Sequence, residues 1–151
     1  SKCISLTEIK IPGSIREIGY KSFSGCSGLR EISIPSTVKT VGIGAFENCT
    51  ELKDISLPTT LTEINYYTFS GCTSLTTLTL HSKLTAINNY AFAGCKSLTE
   101  IHCKNSNPPL IGENTFRDVN RIGCKIFVPS KRAKKSYSTA LYWNEFTIYI
   151  E

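Results

Sequence analysis

The sequence predicts a repeat solenoid: a rod of stacked, near-identical units with a parallel ladder of short strands along one side. Three observations predict it. Phenylalanine falls at 23, 46, 69 and 92, cysteine at 3, 26, 49, 72 and 95, and leucine at 6, 29, 52, 75 and 98, all spaced by 23 residues. Other apolar columns keep that period: Ile9, Ile32, Ile55, Leu78 and Ile101; Ile11, Ile34, Leu57, Leu80 and Cys103; Ile15, Val38, Leu61 and Leu84; Ile18, Val41, Ile64 and Ile87. Finally, 151 residues at 40% apolar content are enough for one domain with a real core, which argues against disorder.

Each unit begins with a strand. Leu29 to Pro35 reads Leu-Arg-Glu-Ile-Ser-Ile-Pro, so Ile32 and Ile34 alternate with Glu31 and Ser33 as in a half-buried strand closed by proline. A bend follows. Then Gly44-Ala45-Phe46-Glu47-Asn48-Cys49-Thr50 places Ala45, Phe46 and Cys49 on the inner side of a single helical or 3₁₀ turn. One unit cannot bury its apolar edge alone, so units must stack, with neighbouring strands roughly 4.8 Å apart.

The motif Leu-x-x-Ile-x-Ile-Pro, an apolar pair, then Ala-Phe-x-Gly/Asn-Cys at a 23-residue period resembles the BspA-like class of leucine-rich repeats over residues 3 to about 129. The resemblance extends to the end, where Val128-Pro129 precedes a basic segment with Tyr137, Trp143 and Phe146. It implies a right-handed superhelix with a short-stranded parallel sheet on the concave face and short helical or 3₁₀ turns opposite. It also implies a surface or secreted protein of a host-associated anaerobic bacterium or a protozoan parasite, with adhesion as its activity.

The pattern changes in the fifth unit. Asn105-Ser106-Asn107-Pro108-Pro109 replaces the bend, and Phe116 follows Phe92 by 24 residues. Beyond it the cysteine slot is expected to hold Val119 and the leucine slot Ile122, before a strand over Cys124-Lys125-Ile126-Phe127-Val128. From Ser130, a candidate N-cap, to about Thr139 the chain reads as a helix. Residues 1–129 are thus read as about five repeats. Residues 130–151 are read as a cap covering the last one with Leu141, Trp143 and Phe146. The start shows no such cap and no signal peptide in Ser1-Lys2-Cys3-Ile4-Ser5-Leu6, so an N-terminally truncated array is expected.

Seven cysteines allow three readings. A disulfide framework conflicts with the odd count and the single column, and zinc conflicts with the absence of any Cys-x-x-Cys. A buried ladder of free thiols serving as small apolar fillers fits best. Free thiols favour reducing surroundings, so an extracellular site fits best where the habitat is anaerobic. Asn48-Cys49-Thr50 is a glycosylation sequon, relevant only in a secreting eukaryote.

Catalysis, metal and cofactors have little support. His81 replaces the proline of other units, and His102 projects from a strand whose Cys103 points the other way, so no Cys-His nucleophile is expected. Glu8, Glu31, Asp54 and Glu100 form a strip rather than a cleft that would split two pKa values.

The outward strand positions are the lead to function. One row reads Thr7, Arg30, Lys53, Thr76, Thr99; the next Glu8, Glu31, Asp54, Thr77, Glu100; the third Lys10, Ser33, Ser56, Thr79, His102. Acids flanked by bases can be cross-strand pairs that keep a sheet soluble. Alternatively, the strip binds an extended protein or glycan through many weak contacts. Aromatics are few there, Phe127 being the exception, so strong sugar stacking is not expected.

Charge is segregated. Arg121, Lys125, Lys131, Arg132, Lys134 and Lys135 are six of 17 basic residues; without them 11 bases face 12 acids, a net of −1, so the net +5 depends on these six toward the C-terminal end. Lys131, Arg132, Lys134 and Lys135 form a basic patch able to bind heparin-like glycans, anionic membrane or nucleic acid, or simply a solvated helix face. No nucleic-acid motif supports that last partner, and no membrane insertion is expected. Two function classes remain: an adhesion module, monomeric and directed at host matrix or surface proteins or a glycan, and a structural spacer.

Overall fold

The computed structural model describes residues 3–151; Ser1 and Lys2, included in the predicted repeat region and in the expected lack of a signal peptide, lie outside the described residues. Strands β1 (Glu8–Lys10), β3 (Glu31–Ser33) and β5 (Asp54–Ser56) pair in parallel in one sheet. A second sheet on the same side runs β7 (Thr77–Leu80), β9 (Glu100–Cys103), β11 (Lys125–Val128) and β12 (Thr147–Ile150). The repeat spacing fixes the register: Glu8 lies beside Glu31 and Glu31 beside Asp54. Alternation does the rest, burying Ile32, Ile55 and Leu78 while Glu31, Ser33, Asp54 and Ser56 face solvent. Each of the first three strands is followed within two residues by Pro12, Pro35 or Pro58, which has no N–H to extend a ladder.

The bend is itself a strand. Glu17–Ile18 (β2) pairs with Thr40–Val41 (β4), and Glu63–Ile64 (β6) with Ala86–Ile87 (β8), which pairs with Leu110–Ile111 (β10). Between β4 and β6 a side chain stands in for the ladder. Gly42 N–H donates to Ile18 O and Asn88 N–H to Ile64 O, but at the equivalent site the Asn65 Nδ2 amide donates to Val41 O at 2.8 Å. Gly42 is required here: a Cβ would sit 2.7 Å from backbone atoms of Gly19 and Tyr20.

The segment opposite the strands keeps the expected single turns and does not run on into continuous helix. It is a series of turns closed by bonds such as Leu29 N–H to Cys26 O and Cys49 N–H to Phe46 O. The reason is where the other amides go. Phe23, Phe46, Phe69 and Phe92 donate to Ala45, Thr68, Ala91 and Thr115 of the next repeat; Gly25, Asn48, Gly71 and Gly94 donate to Glu47, Ser70, Ala93 and Arg117. These inter-repeat bonds take amides that a helix would spend within itself. Aiming them outward uses left-handed backbone at Gly25, Asn48, Gly71, Gly94 and Asp118, a slot suited to glycine or asparagine.

Inside, five phenylalanine rings stack in one line. Phe23, Phe46, Phe69, Phe92 and Phe116 have successive centroids 5.3, 5.5, 5.5 and 5.6 Å apart. Beside them runs the cysteine column, and its thiols do more than fill space. Cys49, Cys72 and Cys95 donate Sγ–H to Phe23, Phe46 and Phe69 carbonyls at 3.3, 3.5 and 3.4 Å. Cys26, Cys49, Cys72, Cys95, Cys103 and Cys124 are buried and unbridged. Burial pushes Cys49, Cys95, Cys103 and Cys124 up to about 12, and burial with the neighbouring Cys3 pushes Cys26 up to about 11.

Helix α1 (Lys131–Thr139) starts at Ser130, whose hydroxyl accepts from Ala133 N–H at 3.1 Å. Trp143 and Phe146 close the ring stack, tilted and edge-on against Phe116, and the Trp143 indole donates to Pro109 O at 2.8 Å. Two expectations fail at this end. Leu141 does not cover the last repeat; it is 69% exposed. Ile122 does not fill the leucine slot either, being 89% exposed. Lys125 pairs with Glu100, a spacing of 25, so a second residue has been inserted and Ile122 is carried out on the resulting loop while Cys124 is buried.

Candidate functional site

The concave strand rows hold the predicted site residues, and the two sheets hold them differently. On β1, β3 and β5, Glu8, Glu31 and Asp54 stand side by side in register, with Lys10, Ser33 and Ser56 forming the next outward row. Together they line a groove of about 550 Å³. The expected cross-strand pairing of acids with bases is not what forms. Among the described residues, none of the three carboxylates has an ion-pair partner: Arg30 turns to Glu51 at 3.3 Å, and Lys53 pairs with no acid. Like charges on adjacent strands repel, so this row costs stability.

On β7, β9 and β11 the same rows close on themselves. Thr77 lies beside Glu100 and Thr79 beside His102. His102 Nδ1 meets Glu151 Oε1 at 2.7 Å, its Nε2 lies 3.5 Å from Glu100, and Lys104 Nζ reaches the other Glu151 oxygen at 2.6 Å. Lys104 and His102 hold the Glu151 carboxyl below the usual carboxylate range. His102 stacks on Phe127 at 4.9 Å, and Phe127 meets Tyr149 at 5.6 Å. This aromatic row went unseen because Tyr149 belongs to a strand read as cap. His102 and Phe127 cover one another's faces, whereas Tyr149 is tilted and exposed on the edge strand.

Strand β9 keeps His102 and Cys103 apart on its two faces, with Cys103 buried on the inner one and His102 on the outer one. His81 is buried, its Nδ1 accepts from Lys83 N–H at 3.3 Å, and burial lowers its pKa. Among the described residues, no group of three His, Cys, Asp or Glu side chains is placed to hold a metal ion.

A second surface was not foreseen. Tyr20, Ile43 and Tyr66 occupy one exposed column of the turn side, with Tyr67 and Tyr90 beside it, stacked in parallel at 4.9 Å. Tyr67 and Tyr90 adopt left-handed backbone at φ 58° and 64°, where the previous unit has Gly44. A bulky residue there is strained. The clue in the sequence was tyrosine recurring 23 residues apart at 67 and 90.

The basic patch sits on α1. Lys131, Arg132, Lys134 and Lys135 are all exposed, while Ala133 and Tyr137 turn inward and Tyr137 packs edge-on against Trp143 at 5.2 Å. Among the described residues, no helix is long and apolar enough to cross a membrane.

Comparison with known proteins places this architecture. A family model for the BspA type leucine-rich repeat region matches residues 1–127 in six copies. A leucine-rich cell surface protein of Faecalibacterium prausnitzii A2-165 is 30% identical, with a TM-score of 0.75 over 87% of this chain and 35% of that one. The leucine-rich repeat protein TpLRR of T. pallidum is 31% identical, with a TM-score of 0.66 over 75% of this chain and 52% of its own. The pneumococcal vaccine antigen PcpA shares the fold at 23% identity, TM-score 0.64, over 93% of this chain and 40% of its own. No curated protein sequence matches significantly. The chain therefore spans about a third to a half of these solved relatives, and it belongs to the BspA-type leucine-rich-repeat family.

Proposed function

We propose that this chain is a non-enzymatic binding module of a cell-surface or secreted protein and that it engages a protein partner through the concave face of its first three repeats. The observation that carries this reading is the row Glu8, Glu31 and Asp54, three adjacent carboxylates without internal partners along an open groove. Unpaired like charges held side by side lower stability, and a partner presenting amine, guanidinium or amide N–H donors would relieve them. Repetition matters as well, since several weak contacts along a rigid row act together. A surface location is supported by the F. prausnitzii relative, a leucine-rich cell surface protein. Residues 1–129 act as the repeat array and residues 130–151 as its closing segment, with the module working as a monomer.

Host extracellular-matrix and surface proteins are the expected partner class. The test is binding of the purified chain to immobilised matrix proteins, comparing the parent with Glu31→Lys and Asp54→Lys together and with Lys53→Glu. Loss in the acid variants with an unchanged melting temperature supports the reading. Equal retention by all three sinks the concave site, and no binding by any of them favours a spacer.

A further inference from the structure

We infer that helix α1 is a second binding site, separate from the concave face, whose ligand is an acidic polysaccharide. Ala133 and Tyr137 face the protein, so helical geometry points Lys131 and Lys135 directly away from it, with Arg132 and Lys134 on either flank. The four cations fall within about 6 Å of axial rise. Among the described residues none of them has an ion-pair partner, although Lys21, Arg30, Lys104 and Arg121 each do. No acid occurs between Val119 and Asn144 to neutralise them.

The placement opposes helix stability. The first turn holds no acid, and its bases lie at the positive end of the helix dipole. Lys131 also repels Lys134 and Lys135 at the i+3 and i+4 positions. Charge kept where it weakens the fold points to a ligand of opposite sign. A long polyanion suits a row of exposed cations, because each contact releases a counterion.

Two other anionic partners fit less well. A bilayer is favoured by an apolar face beside the charges, but this helix has turned its apolar side onto Trp143, and exposed Leu141 lies beyond its last turn. Single-stranded nucleic acid is favoured by exposed aromatics for stacking, and the helix's Tyr137 is buried. Sulfate and carboxylate groups on a flexible saccharide need neither.

The test is titration of the 151-residue chain with size-defined heparin fragments, beside anionic phospholipid vesicles and a single-stranded oligonucleotide. Heparin binding should weaken about a hundredfold between about 50 and 200 mM salt. Reversing all four bases to Glu should remove it. Lys131→Glu with Lys134→Glu should weaken it at least about tenfold while the melting temperature stays level or rises, because acids then face the helix N-terminus. Glu31→Lys with Asp54→Lys should leave it intact, which separates this site from the concave one. The inference is overturned if the parent ignores heparin at low salt or if four-base reversal changes affinity less than about threefold. Tighter binding to vesicles or to the oligonucleotide overturns the assignment to a polysaccharide.

Discussion

The first four repeats and the C-terminal end are built from the same motif and finish differently. Where the spacing is 23, each apolar column repeats its residue type, and the row Glu8, Glu31 and Asp54 keeps carboxylates that no ion-pair partner meets among the described residues. Where two insertions break the spacing, the outward rows are taken up internally: His102, Lys104 and Glu100 converge, with Glu151 tying two of them. A regular array leaves its face free for another molecule, and an irregular terminus consumes its face in closing the stack.

The largest expected effect tests the core under both regions. Phe69→Ala should cost about 3–5 kcal/mol, since Phe69 is fully buried between two stacked rings. Phe23→Ala should cost clearly less, because Phe23 is half-buried and has a ring on only one side. Equal losses by denaturant melts would show that the stack has no middle and no end.

Thiol chemistry should follow the same gradient. Thiols pushed up to about 12 have thiolate fractions of roughly 10⁻⁴ near pH 8, so Cys49 and Cys95 should react with a thiol reagent only on unfolding. Rapid native labelling, or an intact mass lowered by pairs of hydrogens before reduction, would contradict the packed column.

A smaller effect probes the turn ladder. Gly71→Ala should cost about 1–2 kcal/mol, as its backbone is left-handed and a Cβ would lie 2.3 Å from Asn48 Oδ1. Gly13→Ala, with nothing within 4 Å, should be near neutral or slightly stabilising.

The smallest effects carry opposite signs in the two regions. Glu31→Gln should stabilise by a few tenths of a kcal/mol through removal of repulsion, whereas Glu151→Gln should destabilise by up to about 1 kcal/mol. Because the folded Glu151 carboxyl titrates below its unfolded value, its contribution is complete above the ordinary carboxylate range and is lost as pH falls through the lower folded value. The difference between parent and Glu151→Gln melting temperatures should therefore shrink on acidification. A constant difference would mean that the contact is merely steric.

Much of this was legible in the sequence. The period gave the stacking, and strand alternation gave the outward rows, because both depend on local spacing alone. The single turns opposite the strands were legible in the spacing of Ala45, Phe46 and Cys49; that they stop short of continuous helix was not, because the competing acceptors belong to the next repeat and are invisible locally. Ile122 was assigned to the leucine slot by extending the register, which the second insertion changed, and Leu141 was assigned to the cap's inner side with Trp143 and Phe146, where hydrophobicity alone does not place it. Row membership found the concave residues; their lack of partners could not be read, since it depends on where Arg30 turns.

The amides running between turns form two lines of aligned dipoles on one side of the rod, while others, such as Lys39 N–H to Arg16 O and Lys53 N–H to Arg30 O, run the opposite way. In two unbroken lines, from Phe23 to Thr115 and from Gly25 to Arg117, successive peptide units accept from the repeat before and donate to the repeat after. Units such as 45–46 and 68–69 are therefore aligned, each with a dipole of about 3.5 D. An α-helix gathers its positive pole at its N-terminus; these lines point N–H groups toward the C-terminal end of the array instead. The partial charge sits at the ends of the lines and saturates after a few rungs, so extra repeats add length without strengthening it. The positive pole of these two lines faces the closing segment, where Trp143 and Phe146 cover it, and the oppositely directed amides of the strand side, such as Lys53 N–H to Arg30 O, offset it across the rod.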